Sequence, residues 1–262
     1  MSVVTDRLRL TTVHLRLGLF AVFGIGFLAM AVPGFLEPMT FWIGIVIGDY
    51  AYPTHELHHF LLGTYFGVLF LGVLAQAVYP SRHVGALHTS LILFTAAIIG
   101  LIVTGAFDVG LLILLGLLVG MVLAHPSGMD QLPSRDTFDP TLGVMAGVTA
   151  IGAVVFASIE WYAQITVNDP HVAFGHYIFT GAIGLSIAVL TLYGSFRGMH
   201  WRFPIYTAGL FLFVLGVSSI RYPGAEQGSS LGVIGGVVVT LWAIVLIVIA
   251  ERGDALRHRL GI

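Results

Sequence analysis

The chain has 262 residues, of which 57% are hydrophobic and 9% charged, with a net charge of -2 and no cysteine. A soluble domain carries about a quarter charged residues and could not hide this much apolar surface, so lipid must cover it. The missing thiols exclude disulfides, thiolate metal sites, c-type haem attachment and cysteine nucleophiles, and the 11 basic residues are all arginines in short clusters with no nucleic-acid motif.

The first apolar run begins near Leu17 and many others follow, so it reads as a retained helix and not as a cleaved signal, with no targeting segment. Runs long enough to cross about 30 Å of hydrocarbon lie near 15–35, 58–78, 86–104, 109–125, 141–161, 173–194, 204–220 and 230–250. The expected fold is an all-α polytopic membrane protein with eight transmembrane helices. The third and fourth should be antiparallel neighbours across a tight turn at Gly105–Gly110. Between the first and second, Phe41–Ile47 is too short to span and reads as an interfacial or re-entrant piece ending at Pro53, either a surface loop or a substrate-facing lid.

Eight crossings place ten arginines, from Arg7 to Arg259, on one side and Arg221 alone on the other. That asymmetry makes the richer side cytoplasmic and predicts a multi-pass plasma-membrane protein with both termini inside. On the outer side lie Asp49, Glu160 and Asp169.

A shift of 117 residues aligns Pro53 with Pro170, His59 with His176, Gly67 with Gly184 and His83 with His200. The pattern predicts an internal duplication: a four-helix unit at 1–125, a linker at 126–140 and a second unit at 141–262, related by an axis along the membrane normal. The linker, with Asp130, Asp136, Asp139, Pro126, Pro133, Pro140 and Arg135, reads as solvated. His59, Gly63 and Gly67 share one helix face, as do His176, Thr180 and Gly184, so each histidine heads a stripe of small residues that admits a neighbouring helix or a flat ligand. This predicts that the second and sixth helices meet through Gly67 and Gly184, or face equivalent clefts. Gly116/Gly120, Gly143/Gly147 and Gly232/Gly236 repeat the spacing and argue for tight packing.

Histidines gather at both membrane faces. The outer set is His55, His58 and His59 beside Glu56, with His171 and His176 from the second half. One helical turn brings His55 and His59 together, the spacing of a metal ligand with a supporting carboxylate, and also that of a hydrated helix cap. The inner set is His83, His88, His125 and His200; His59 and His83 are 24 residues apart, roughly 36 Å along a helix, so the two sets cannot share one ion. This separation argues against a di-metal lipid hydroxylase built from histidine boxes. No phosphate-binding glycine loop, zinc-protease motif or nucleophile elbow is present.

The string Glu56-Leu57-His58-His59-Phe60, with a glutamate three residues before a histidine at the outer start of the second helix, and the repeated His176 resemble haem A synthase, which has eight helices in two tandem units. The resemblance implies haem b, with His59 and His176 as axial iron ligands and Glu56 as a catalytic group that orients an imidazole or handles a proton. His55, His58 and His171 would receive haem propionates or a substrate. Phe60 stands where the family has arginine, Ala173 matches Glu56, and neither 110–115 nor 229–233 holds a histidine. These departures imply changed haem stoichiometry or lost synthase activity, with one shared haem or one haem per unit. The expected activity is membrane redox or haem modification, with haem, quinone or a small apolar molecule as ligand, lipid as surroundings and no nucleic-acid partner. A transporter with a histidine-lined path and an accessory subunit of a membrane complex are the competing classes.

Overall fold

The computed structural model describes residues 3–47, 55–80, 83–127, 137–198, 200–223 and 230–260. Asp49, Pro53, Arg82 and the linker residues Asp130, Pro133, Arg135 and Asp136 lie outside the described residues. The elements are α1 (Val3–Ile47), α2 (Glu56–Val78), α3 (Val84–Thr104), α4 (Val109–Ala124), α5 (Pro140–Thr166), α6 (Pro170–Ala173), α7 (His176–Ser195), α8 (Arg202–Arg221) and α9 (Gly232–Leu260), with no strand among the described residues. Seven helices are long and apolar enough to cross a membrane, and α4 is a shorter apolar helix of 16 residues.

Aspartates start three of them. Asp108 accepts the Leu111 N–H at 3.0 Å. Asp139 accepts Thr141 N–H at 2.9 Å and Leu142 N–H at 3.2 Å, and Asp169 accepts His171 N–H at 2.9 Å and Val172 N–H at 3.3 Å. The last two are followed by Pro140 and Pro170, whose fixed φ and missing N–H suit a first helical position. Gly175, with φ 66°, makes the left-handed turn between α6 and α7.

Helix α1 runs further than the sequence suggests: Phe41–Ile47 is not a separate piece, because α1 continues through Pro33 and Pro38 to Ile47. Each internal proline removes a backbone hydrogen bond at a cost of about 3 kcal/mol, and packing on α2 offsets it. Trp42 donates its indole N–H to Thr64 Oγ1 at 3.1 Å and lies 3.9 Å from the Phe60 ring, while Phe41 stacks on His59, also at 3.9 Å. Gly63 makes the approach possible, since a Cβ there would stand 2.8 Å from Trp42 Cδ1 and 2.9 Å from the Pro38 carbonyl oxygen.

The small-residue stripes therefore serve helix packing. Gly63 receives α1, Gly184 receives Phe156 of α5, and Gly67 faces open space. Helices α2 and α7 do not meet through Gly67 and Gly184: Gly67 faces open space, Gly184 lines a cavity beside Phe156, and the two helices approach instead at their histidine-bearing ends. Helix α1 packs on α2 and α4, α2 on α3, and α3 on α4; likewise α5 packs on α7 and α9, α7 on α8, and α8 on α9. Helices α2 and α3 face α7 and α8 across the middle. Halfway along that interface Tyr65 donates to the Leu93 carbonyl and stacks on Phe211 at 6.0 Å, with Leu69 and Ile183 fully buried around them. Large apolar side chains such as Val144, Ile151, Ile234 and Leu241 point outward from α5 and α9, the surface that hydrocarbon solvates.

Candidate metal centre

The outer ends of α2, α6 and α7 bring five histidines together. His55 caps α2, His58 and His59 lie in its first turn, His171 belongs to α6, and His176 opens α7. All are buried. His55 Nδ1 and His176 Nδ1 are 3.2 Å apart, a hydrogen bond between the two halves of the chain. His171 lies with its ring centroid 4.3 Å from His55 and 4.8 Å from His58. His58 stacks on His176 at 5.3 Å and its Nδ1 is 3.0 Å from Thr180 Oγ1. One nitrogen from each of His55, His171 and His176 lies within 4.8 Å of the other two.

The carboxylate that serves this cluster is Asp169. One of its oxygens caps α6; the other lies 3.3 Å from His171 Nδ1 and accepts the Tyr177 hydroxyl at 2.8 Å. Burial alone would raise the Asp169 carboxyl, but the Tyr177 hydroxyl, the nearby His171 imidazole and the Val172 N–H outweigh it and hold the group below its ordinary value. Burial, aided by His171 and opposed by Asp169, holds the His55 imidazole below its ordinary value. Glu56 is half-buried and lies toward Tyr222, whose phenol is pushed up by burial and then by the Glu56 charge. No hydrogen bond or ring contact among the described residues joins Glu56 to the histidines.

The sequence places Asp169 on the same side as the histidines but not as the carboxylate paired with His171, because spacing compared neighbours along one helix, whereas Asp169 arrives from another element. The signal was present in Asp169-Pro170-His171: an Asp-Pro helix start holds the residue two places on beside the capping carboxylate. Glu160 was also missed as a buried group. It accepts the Ser230 hydroxyl at 2.5 Å, and its Oε2 is buried without a hydrogen-bond partner among the described residues.

A cavity of about 590 Å³ adjoins the cluster, with His55, His59 and His176 on one wall and Phe41, Phe66, Phe107 and Phe179 on the others. Its size falls in the range of roughly 300–1,000 Å³ typical of cofactor sites, and its aromatic walls suit a planar apolar group such as haem. The two expected axial ligands do not frame that cavity from opposite sides. Their rings are 4.9 Å apart and nearly perpendicular, whereas two imidazoles about 2 Å from one metal on opposite faces have centroids about 6 Å apart.

The inner histidines do other work. His88 bonds Tyr193 at 2.5 Å, and His125 Nε2 donates to the Pro80 carbonyl at 2.8 Å, each joining helix ends. His200 lies against Gly85, and His83 and His200 share a second cavity of about 500 Å³ with Arg197, Trp201 and Arg202. Both arginines are already paired, Arg197 with Asp139 and Arg202 with Glu251. Comparison with protein-family models, with curated proteins and with solved structures finds no match to this chain.

Proposed function

We propose that the chain is an eight-crossing membrane protein, built of two tandem four-helix units with both termini cytoplasmic, that holds a metal cofactor for redox chemistry in the outer half of the bilayer. The observation that carries this reading is the convergence of five buried imidazoles from both halves, three of which line a cofactor-sized cavity. Burying so many polar rings in an apolar phase is costly unless something coordinates them. The duplication is supported by the matching helix pairings and by two pairs of residues 117 apart, His59 with His176 and His83 with His200, that come together at opposite ends of the interface. The arginine asymmetry supports the orientation.

Haem b is the cofactor to which the sequence resemblance points. Within the cavity His59 or His176 would give the iron one imidazole, the aromatic walls would exclude water, and the cofactor would supply one-electron chemistry. A transport path is less well supported, because the buried layer of Tyr65, Leu69, Leu93 and Phe211 separates the outer histidines from the inner ones. The test is elemental analysis together with a pyridine haemochromogen spectrum of the full chain purified without a histidine tag. Stoichiometric metal, free or in haem, is expected; a folded, monodisperse protein with neither would end the reading.

A further inference from the structure

We infer that the outer cluster is a mononuclear site for a divalent transition-metal ion, ligated by His55, His171 and His176 with its fourth position open to the adjoining cavity. The inference rests on the metal-cofactor reading above and names the cofactor as an ion instead of haem. Three observations converge on it.

The first is distance. Two nitrogens bound tetrahedrally at about 2.0–2.1 Å from one ion are about 3.3 Å apart, and His55 Nδ1 and His176 Nδ1 are 3.2 Å apart. In the metal-free protein one of these nitrogens donates to the other; the ion would replace that proton. The third nitrogen lies within 4.8 Å of both, so a small rotation of the His171 ring completes the set.

The second is support around the ligands. Asp169 Oδ2 faces His171 Nδ1, which leaves Nε2 as the metal-binding nitrogen and matches the carboxylate-to-imidazole arrangement that orients metal-bound histidines. Tyr177 fixes the same oxygen, and the helix cap fixes the other. Asp169 also supplies a negative charge against the two positive charges of the ion, which an apolar surrounding would otherwise resist. His58 and His59 are placed differently: His58 Nδ1 is bound to Thr180 and His59 is stacked on Phe41.

The third is the open side. His55 and His176 line the cavity while His171 does not, so the three ligands close one hemisphere and leave the other facing the cavity, as catalytic sites with three protein ligands do. An all-imidazole set without thiolate suits zinc, copper, iron or nickel. The cavity walls are apolar apart from the imidazoles, Glu37, Asp108 and Gln164. The molecule that reaches the ion is therefore small and apolar with one polar head.

The test is titration of the chelator-treated, untagged full chain with Co²⁺, read by its visible ligand-field band, alongside the metal and haem content of the protein as isolated. One Co²⁺ per chain with a tetrahedral band is expected. Affinity should fall at least 100-fold in His171→Ala and His176→Ala and about 10- to 100-fold in Asp169→Asn, while His125→Ala, which removes an imidazole bonded to the Pro80 carbonyl away from the cluster, stays within about threefold. Zn²⁺ should raise the unfolding temperature of the wild type and not that of His171→Ala; should that variant fail to fold, Asp169→Asn and the wild-type spectrum decide. Stoichiometric haem lost in His59→Ala and kept in His171→Ala would overturn the ion and leave the metal-cofactor reading standing. Weak binding of several Co²⁺, insensitive to Asp169→Asn, would overturn the ion site. Neither metal nor haem in folded protein would overturn both.

Discussion

Asp139 and Asp169 divide their oxygens in the same way, one capping a helix and the other gripping a side chain from elsewhere. At Asp139 the second oxygen takes Arg197 Nε at 2.7 Å, and Arg197 Nη2 reaches the Ala250 carbonyl at 2.8 Å, so one buried ion pair ties the start of α5 to the 196–201 turn and to α9. These bonds also hold Arg197 at φ 46°, a left-handed conformation that residues other than glycine seldom adopt. Arg197→Ala leaves the Asp139 charge buried and should cost about 3–5 kcal/mol in detergent unfolding. Glu251→Gln, which breaks the half-exposed pair with Arg202, should cost about 0–1 kcal/mol. Burial alone would raise the Asp139 carboxyl, but Arg197 and the Leu142 and Thr141 N–H groups hold it below its ordinary value. A carboxylate depressed in the folded state contributes stability above its unfolded value, near pH 4, and loses it as pH falls through the lower folded one. The unfolding temperature should thus be flat down to about pH 5 and drop below about pH 4, and Asp139→Asn should lack part of that drop. Asp139 was legible only as a linker residue, because its distant partner, Arg197, lies 58 residues later in the chain.

The helices themselves were legible, since runs of apolar residues that must cover their own backbone in lipid have few other options. Their ends were marked by Asp-Pro and by glycine. What could not be read was α1 beyond Pro33: two prolines announce a break, and only the neighbour across the gap shows why the helix continues. That neighbour is Gly63, and its substitution tests the explanation. Gly63→Ala should push Trp42 and the Pro38 backbone away, destabilise the protein by about 1–3 kcal/mol and shift Trp42 emission, whereas Gly67→Ala, in open space, should do neither. The stripes were legible as helix faces but their neighbours were not: Gly63 takes Trp42 and Gly184 takes Phe156, because small-residue spacing states that something can approach closely without saying what. The four-residue helix α6 left no periodic trace, yet it carries His171 into the cluster.

In the whole molecule, the proposed orientation can be tested directly because the chain has no cysteine of its own. Single cysteines replacing Arg252 and Phe107, both exposed, should react with an impermeant reagent from the cytoplasmic and outer sides respectively. Reaction of both from one side would overturn the eight-crossing arrangement. Length and hydropathy made the long apolar helices legible, whereas the meeting of His55, His171 and His176 depended on the α2–α7 approach, which no local pattern encodes. The shortness of α4 bears on how the site meets its surroundings. Its 16 residues reach about 24 Å, against about 30 Å of hydrocarbon. In the proposed eight-crossing arrangement the bilayer on that flank would thin by several ångströms, or the helix would draw polar groups inward. The α3–α4 turn beside it contributes Ala106, Phe107 and Asp108 to the cavity wall. A membrane thinned there would be pinched where the cavity begins, and a molecule dissolved among the acyl chains would have its shortest route to the histidines at that dimple.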